Sequence, residues 1–245
     1  LSIALAVTVI VAVVVVVKLG PKREASQEGD ASGQVTIRAL RTQNSSGRSG
    51  AYFIPSGARV GPRPLLVLFH GTGEQGSTMA HRFLPFAQKR GIVMVAPDSR
   101  RSPDGNFTWQ VSDEPNDLTD DFHHTLRCLE EVLGTPNVVI DSERVLAAGY
   151  SGGGSSAPYF ATNERRIREF AVLHGGVFAT GLGPNRVRGW FSTGEADTAR
   201  SPEAVRTAAA SAGSRVGAIE VRTYPGGHEL SERELTELVE WWLDR

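Results

Sequence analysis

The sequence predicts an α/β domain: a mainly parallel sheet of eight strands with helices on both faces, preceded by an N-terminal hydrophobic segment. Three observations carry this. Short apolar runs bounded by Gly or Pro alternate with segments of helical period from Leu65 onward. Several of those runs, such as Leu65 to Phe69 and Ile92 to Ala96, are apolar without interruption, as strands covered on both faces are. The chemically suggestive residues follow the runs directly, which is where parallel sheets bind ligands.

The elements can be taken in order. Gln34 to Thr42 alternates Val35, Ile37 and Leu40 with polar residues, and Asn44-Ser-Ser-Gly47 turns it into a second strand at Ala51 to Ile54. Leu65 to Phe69 follows Pro62 and Pro64 and feeds the loop His70-Gly71-Thr72-Gly73. Thr78 to Arg90 carries Met79, Phe83, Phe86 and Ala87 at helical spacing, and Ile92 to Ala96 is a strand stopped by Pro97. Asp117 to Leu133 places Leu118, Phe122, Thr125, Leu129 and Val132 on one helical face. Val145 to Ala148 is a strand, Gly152 to Thr162 a helix, and Phe170 to Leu173 and Val187 to Ser192 are strands. Pro202 to Ala212 is a helix opened by proline after Ser201, and Ile219 to Tyr224 and Leu230 to Leu243 close the chain as strand and helix. There is no internal repeat.

At 245 residues, 40% hydrophobic and 22% charged, the chain can bury one large core. A net charge of -1 supplies no basic field, which argues against nucleic acid as a partner. The single cysteine, Cys128, excludes an intrachain disulfide and any multi-cysteine metal site, and lies in a helical pattern as a small buried hydrophobe. His123 and His124 share that pattern without the acidic spacing of a zinc site. No metal and no cofactor is expected.

Leu1 to Val17 is apolar except for Ser2 and Thr8, and Lys18, Lys22 and Arg23 follow. Residues 1–19 read as a transmembrane anchor or signal segment, with an uncleaved anchor preferred because no small-x-small cleavage site directly follows. Residues 20–34 are a polar linker, and the folded domain spans 35–245. A membrane-anchored or exported protein with an extracytoplasmic domain is expected, although the Lys and Arg after the segment, taken alone, favour the opposite orientation.

The chemistry is concentrated in Gly149-Tyr150-Ser151-Gly152-Gly153, which fits the G-x-S-x-G nucleophile elbow, a sharp strand-to-helix turn that presents a serine hydroxyl above the sheet. Five residues are weak evidence in a chain with 27 Gly, so context decides. Asp197 follows the strand that ends near Thr193, and Gly226-Gly227-His228 follows the strand that ends near Tyr224. Nucleophile, acid and histidine therefore occur in the order Ser, Asp, His. Glu195, Asp120 and Asp121 are the rival acids; Asp197 is preferred because a short side chain at the strand end can reach His228.

With these residues the chain resembles the α/β-hydrolase superfamily, and more loosely its polyhydroxybutyrate-depolymerase and feruloyl-esterase-like members. The resemblance covers about Val35 to the C-terminus and rests on His70-Gly71-Thr72-Gly73, the elbow, Asp197 and Gly226-Gly227-His228. Those secreted enzymes often have a cysteine in the oxyanion loop and disulfides, whereas this chain has Thr72 and one cysteine. A serine hydroxyl is a weak nucleophile, so His228 would take its proton during attack on a carbonyl while Asp197 fixes the tautomer. The oxyanion would meet the backbone N–H groups of Gly152 and Thr72. His70 would orient that loop; Tyr150 is placed at the substrate, Trp109 either forms a pocket wall or packs under a loop, and His174 either lines the pocket or is a core histidine. Asp98 either contacts substrate or closes the turn after Pro97. The expected activity is hydrolysis of small or polymeric carboxylic esters through an acyl-enzyme. The alternatives are a serine peptidase or acyltransferase on the same fold, or a noncatalytic binding domain.

Overall fold

The computed structural model describes residues 36–42, 47–56, 61–103, 105–114, 117–175, 181–213 and 216–244. The expected anchor and linker, and most of the turn at 44–47, lie outside them; no helix among the described residues is long and apolar enough to cross a membrane.

The chain opens with strands β1 (Arg38–Ala39) and β2 (Gly50–Phe53), an antiparallel pair much shorter at its first strand than the alternation suggests. β3 (Arg63–Phe69) is buried along its whole length. Helix α1 (Gly76–Arg90) leads to β4 (Val93–Pro97), and β5 (Arg100–Arg101) and β6 (Phe107–Thr108) form a separate small hairpin. Strands of two residues carry no readable period, so this hairpin had no sequence signal. Helix α2 (Asp120–Leu133) starts after Thr119, whose hydroxyl accepts from Phe122 N, three residues later than the apolar face suggests.

β7 (Ile140–Tyr150) extends well before the apolar run, because its polar N-terminal half still pairs with β3 across an irregularity at Arg63. The elbow then winds as a 3-10 turn, Ser151–Ser155, before helix α3 (Ser156–Asn163), where a single helix was expected. β8 (Glu169–Leu173), β9 (Arg188–Gly194), helix α4 (Pro202–Gly213), β10 (Ile219–Tyr224) and helix α5 (Glu232–Leu243) complete the order.

The large sheet has eight strands in the order β1-β2-β4-β3-β7-β8-β9-β10. The pairs from β4 through β10 are parallel, and β2 meets β4 antiparallel. Alternation along the strands divides the core. Leu65, Val67 and Phe69 face one side with Phe122, Leu129 and Phe160 of α2 and α3 and Val205 of α4. Leu66 and Leu68 face the other with Met79 and Phe83 of α1 and Leu238 and Trp242 of α5. Both faces of the sheet are therefore covered, as its uninterrupted apolar strands require. Cys128 is buried in the first layer, and burial pushes its thiol up to about 12.

α5 is held to the sheet mainly by this apolar stripe, in which Leu238 is fully buried. Leu238→Ala is expected to lower stability by about 3 kcal/mol, from lost transfer energy and the cavity left behind. Equilibrium urea unfolding measures this, and a loss below about 1 kcal/mol would mean that α5 is not anchored there.

Candidate active site

Chain direction reverses sharply at the end of β7, and Ser151 sits there at φ +50. A non-glycine residue in that region costs on the order of 1 kcal/mol or more, a strain the surrounding packing must hold. The neighbours explain why glycine flanks it. A Cβ on Gly149 would lie 2.0 Å from the Gly153 carbonyl oxygen. One on Gly153 would lie 2.4 Å from that of Phe69 and 2.6 Å from that of His70. Backbone stands on both sides, so neither position can relax to accept a side chain.

Three sequence-predicted residues meet above the strand ends. Ser151 Oγ donates to His228 Nε2 at 2.8 Å, and His228 Nδ1 donates to Asp197 Oδ2 at 2.8 Å. Asp197 is 3% exposed. Its other oxygen accepts from the backbone N–H groups of Ala199 at 2.9 Å and Arg200 at 2.7 Å. Burial alone would raise its pKa; the hydrogen bonds from His228, Arg200 N and His174 outweigh it and bring the carboxyl down to about 2. Among the rival acids, Glu195 is exposed, while Asp120 and Asp121 pair with Arg48 beside α2.

The loop after β3 lies against the elbow: a Cβ on Gly152 would be 2.3 Å from Thr72 Oγ1 and 3.2 Å from Thr72 N. The loop's other N–H groups are engaged. Gly71 N donates to Glu74 Oε2, Gly73 N to Phe107 O, and Glu74 N to Gly71 O. Gly152 N belongs to the first turn of a helix, where N–H groups have no intrahelical acceptor. The amides of Gly152 and Thr72 thus lie close together beside Ser151.

His70 is fully buried: its Nδ1 donates to Gly71 O at 2.8 Å and its Nε2 accepts from Ser99 N at 3.0 Å. Burial lowers its pKa, so it is a neutral brace of the loop. Asp98 accepts from Gly76 N at the start of α1, closing the turn after Pro97.

The three residues expected around the substrate are differently employed. Trp109 is half-buried and its indole donates to the His70 carbonyl at 2.8 Å, bracing the oxyanion loop from behind. The Tyr150 hydroxyl donates to the His228 carbonyl, and Arg82 lies 4.8 Å from its ring centre, so it steadies the histidine loop. His174 does not line a pocket: it is 1% exposed, with Nδ1 2.9 Å from Asp197 Oδ2 and Nε2 3.2 Å from Glu234 Oε2. A strand-end position on a parallel sheet suggested the pocket, but positive φ turns the ring inward toward two acids.

Sequence reasoning missed Glu234 and the Glu74–Arg82 pair. Arg82 binds both Glu74 oxygens, at 2.9 and 2.6 Å, while Glu74 holds Gly71 N. Their spacing of eight residues is no recognised motif, and Glu234 carries only the signal of an N-terminal helix acid after Ser231. The ligand atoms of His174, Asp197 and His228 lie within 4.8 Å of one another, a spacing also open to a metal ion. Proton sharing accounts for these contacts, because Asp197 Oδ2 already accepts from both rings.

A folded pKa of about 2 against roughly 3.9 unfolded makes Asp197 stabilising above about pH 4, and that contribution is lost as pH falls toward 2. Asp197→Asn is expected to flatten the acid limb of stability in this window, measured by denaturant unfolding at a series of pH values. An unchanged limb would contradict the assignment of that charge.

Comparison with protein-family models finds no match, nor does comparison with curated proteins. Solved structures do match. A carboxylesterase from Mesorhizobium loti superposes with TM-score 0.61 at 17% identity, over 84% of this chain and 97% of that one. A carboxylesterase from Bacillus cereus gives 0.59 at 16%, over 81% and 94%. Acyl-protein thioesterase 2 from Zea mays gives 0.58 at 18%, over 78% and 97%. With the parallel sheet, the strand-end elbow and the order of the strands, these likenesses establish that the chain has the α/β-hydrolase fold.

Proposed function

We propose that this protein is a serine hydrolase of carboxylic esters. The observation that carries the proposal is the continuous hydrogen-bonded line from Ser151 through His228 to buried Asp197. In this reading Ser151 Oγ attacks the ester carbonyl carbon while His228 Nε2 takes the hydroxyl proton. The carbonyl oxygen becomes an oxyanion facing Gly152 N and Thr72 N, and Asp197 balances the imidazolium. Collapse expels the alcohol, which receives the proton from His228, and leaves an ester on Ser151. Water, deprotonated by His228, then releases the acid and restores the serine. The carboxylesterases and the thioesterase that share the fold support the same carbonyl chemistry, and a thioester serves it as well as an oxygen ester does.

Ser151→Ala is expected to leave only trace hydrolysis of aryl esters and no labelling by a fluorophosphonate probe. Asp197→Asn should lower kcat at least about a hundredfold with near-normal KM, because it removes charge and favours the wrong tautomer. Glu195→Gln should cost less than about tenfold. Full activity in the Ser151 variant would end the nucleophile assignment, and exchange of the two acid effects would make Glu195 the acid. A panel of aryl, feruloyl, hydroxybutyrate and thioester substrates of graded chain length defines the acyl preference.

In the same proposal residues 1–19 tether the enzyme to a membrane and contribute nothing to the sheet. Deleting residues 1–33 should therefore yield a soluble protein with unchanged kcat/KM on aryl esters. Aggregation or inactivity of the truncated protein would place that segment within the fold.

A further inference from the structure

Asp197 Oδ2 accepts from two imidazoles, and ester hydrolysis as described uses only one. The second, His174, directly follows β8 at φ +52, a left-handed conformation uncommon for a residue other than glycine. Its ring is fixed on every side. Nδ1 meets Asp197 of the loop after β9 at 2.9 Å, and Nε2 meets Glu234 of α5 at 3.2 Å. His228, after β10, and Tyr150, at the end of β7, face it with ring centres 5.6 and 6.0 Å away. These four are the titratable groups packed around it.

A neutral imidazole has one donor and one acceptor nitrogen, whereas an ionised carboxylate only accepts. With a carboxylate at each nitrogen, a neutral ring would set a lone pair against one of them, at a ring only 1% exposed. Asp197, with four donors, keeps its charge. Carrying the proton on the imidazole sets a donor N–H toward each carboxylate, which the neutral ring cannot do. Glu234 is fully buried, with His174 Nε2 beside its Oε2 and no hydrogen-bond partner for its Oε1, so a charge on it is balanced through His174.

We infer that His174, held as an imidazolium by Glu234, is a positioning residue that acts through Asp197, extending the line to Glu234–His174–Asp197–His228–Ser151. Burial by itself lowers the pKa of His174, but the hydrogen bond and charge of Glu234, followed by those of Asp197, overcome it and raise the value above the ordinary one. The cation pins Asp197 Oδ2 in the direction of His228 and offsets part of its charge. It also lets two carboxylates share one buried site. The catalytic part of this inference rests on the ester-hydrolase reading; the protonation state of His174 does not.

The two parts can be tested separately on the full chain. Imidazole nitrogen NMR should show His174 protonated at both nitrogens at pH 7.5, and at one only in Glu234→Gln, which keeps the shape of the carboxylate and removes its charge. On an aryl ester, Glu234→Gln and His174→Asn should each lower kcat about tenfold with KM changed less than about threefold. Asn is chosen because it tolerates positive φ. In both variants the rising limb of kcat/KM should move to higher pH by at least about half a unit, since a cation near His228 is lost. A neutral His174 in the parent protein at pH 7.5, or a pH profile unchanged in Glu234→Gln, overturns the inference. If the parent protein hydrolyses no ester or thioester, the ester-hydrolase reading and the catalytic role of His174 both fall, and the NMR result still decides its charge.

Discussion

The arrangement depends on one buried anion. Asp197 is removed from water at the carboxyl end of β9, and an ionised carboxylate cannot remain there without compensation. Four donors supply it: two backbone N–H groups of its own loop on one oxygen and two histidine rings on the other. Each donor arrives from a different constraint. The loop must turn tightly after Gly194 to present Ala199 and Arg200. His228 must follow β10, and His174 must break from β8 into the left-handed region. The carboxylate therefore organises three adjacent strand ends, and the nucleophile is met from the fourth.

That convergence follows from strand order. β7, β8, β9 and β10 are consecutive neighbours, so the residues just after each emerge side by side along one rim of the sheet. β3, on the other side of β7, brings the loop of His70 and Thr72 to the same rim. No long-range guidance beyond parallel pairing is needed to gather Ser151, Asp197, His228 and the loop of Thr72 along one rim. Steric closeness does the final adjustment. Gly149 and Gly153 let the elbow's backbone touch itself and the end of β3, and their lack of side chains is what allows Ser151 to stand where the rim residues meet.

This explains what could be read in advance. The parallel sheet was legible because buried strands such as β3 and β4 are written as unbroken apolar runs. Ser151, Asp197 and His228 could be picked out because Ser151 directly follows an apolar run, the other two lie just beyond the ends of β9 and β10, and their order along the chain is Ser, Asp, His. The hairpin β5–β6 was not, being too short for a period, and the polar half of β7 was not, since its pairing with β3 is backbone pairing. The function of His174 was hidden for another reason. Position at a strand end says that a residue is near the site, but not whether its ring faces the substrate or the core. That depended on a backbone angle and on Glu234, sixty residues away on α5. The polar tips of Trp109 and Tyr150 were equally unreadable, being occupied by the carbonyls of His70 and His228.

His70 and His174 show how the same side chain is given different charges within one rim. Both are buried, and burial disfavours the imidazolium in each. The outcome is decided by partners. His70 stands between a carbonyl oxygen and a backbone N–H, so one nitrogen must donate and the other must accept; only the neutral ring satisfies both. Its tautomer is thereby fixed, and it ties the oxyanion loop to the strand end at Ser99 without adding charge. A cation there would attract the oxyanion but would also leave the N–H of Ser99 facing a donor. His174 stands between two carboxylates and meets no donor, so the charged ring is the one that fits. Asp197 thus gains a counter-charge, while the loop after β3 gains none from His70. In the proposed reaction the imidazolium formed when His228 takes the serine proton is the one toward which Asp197 is already oriented.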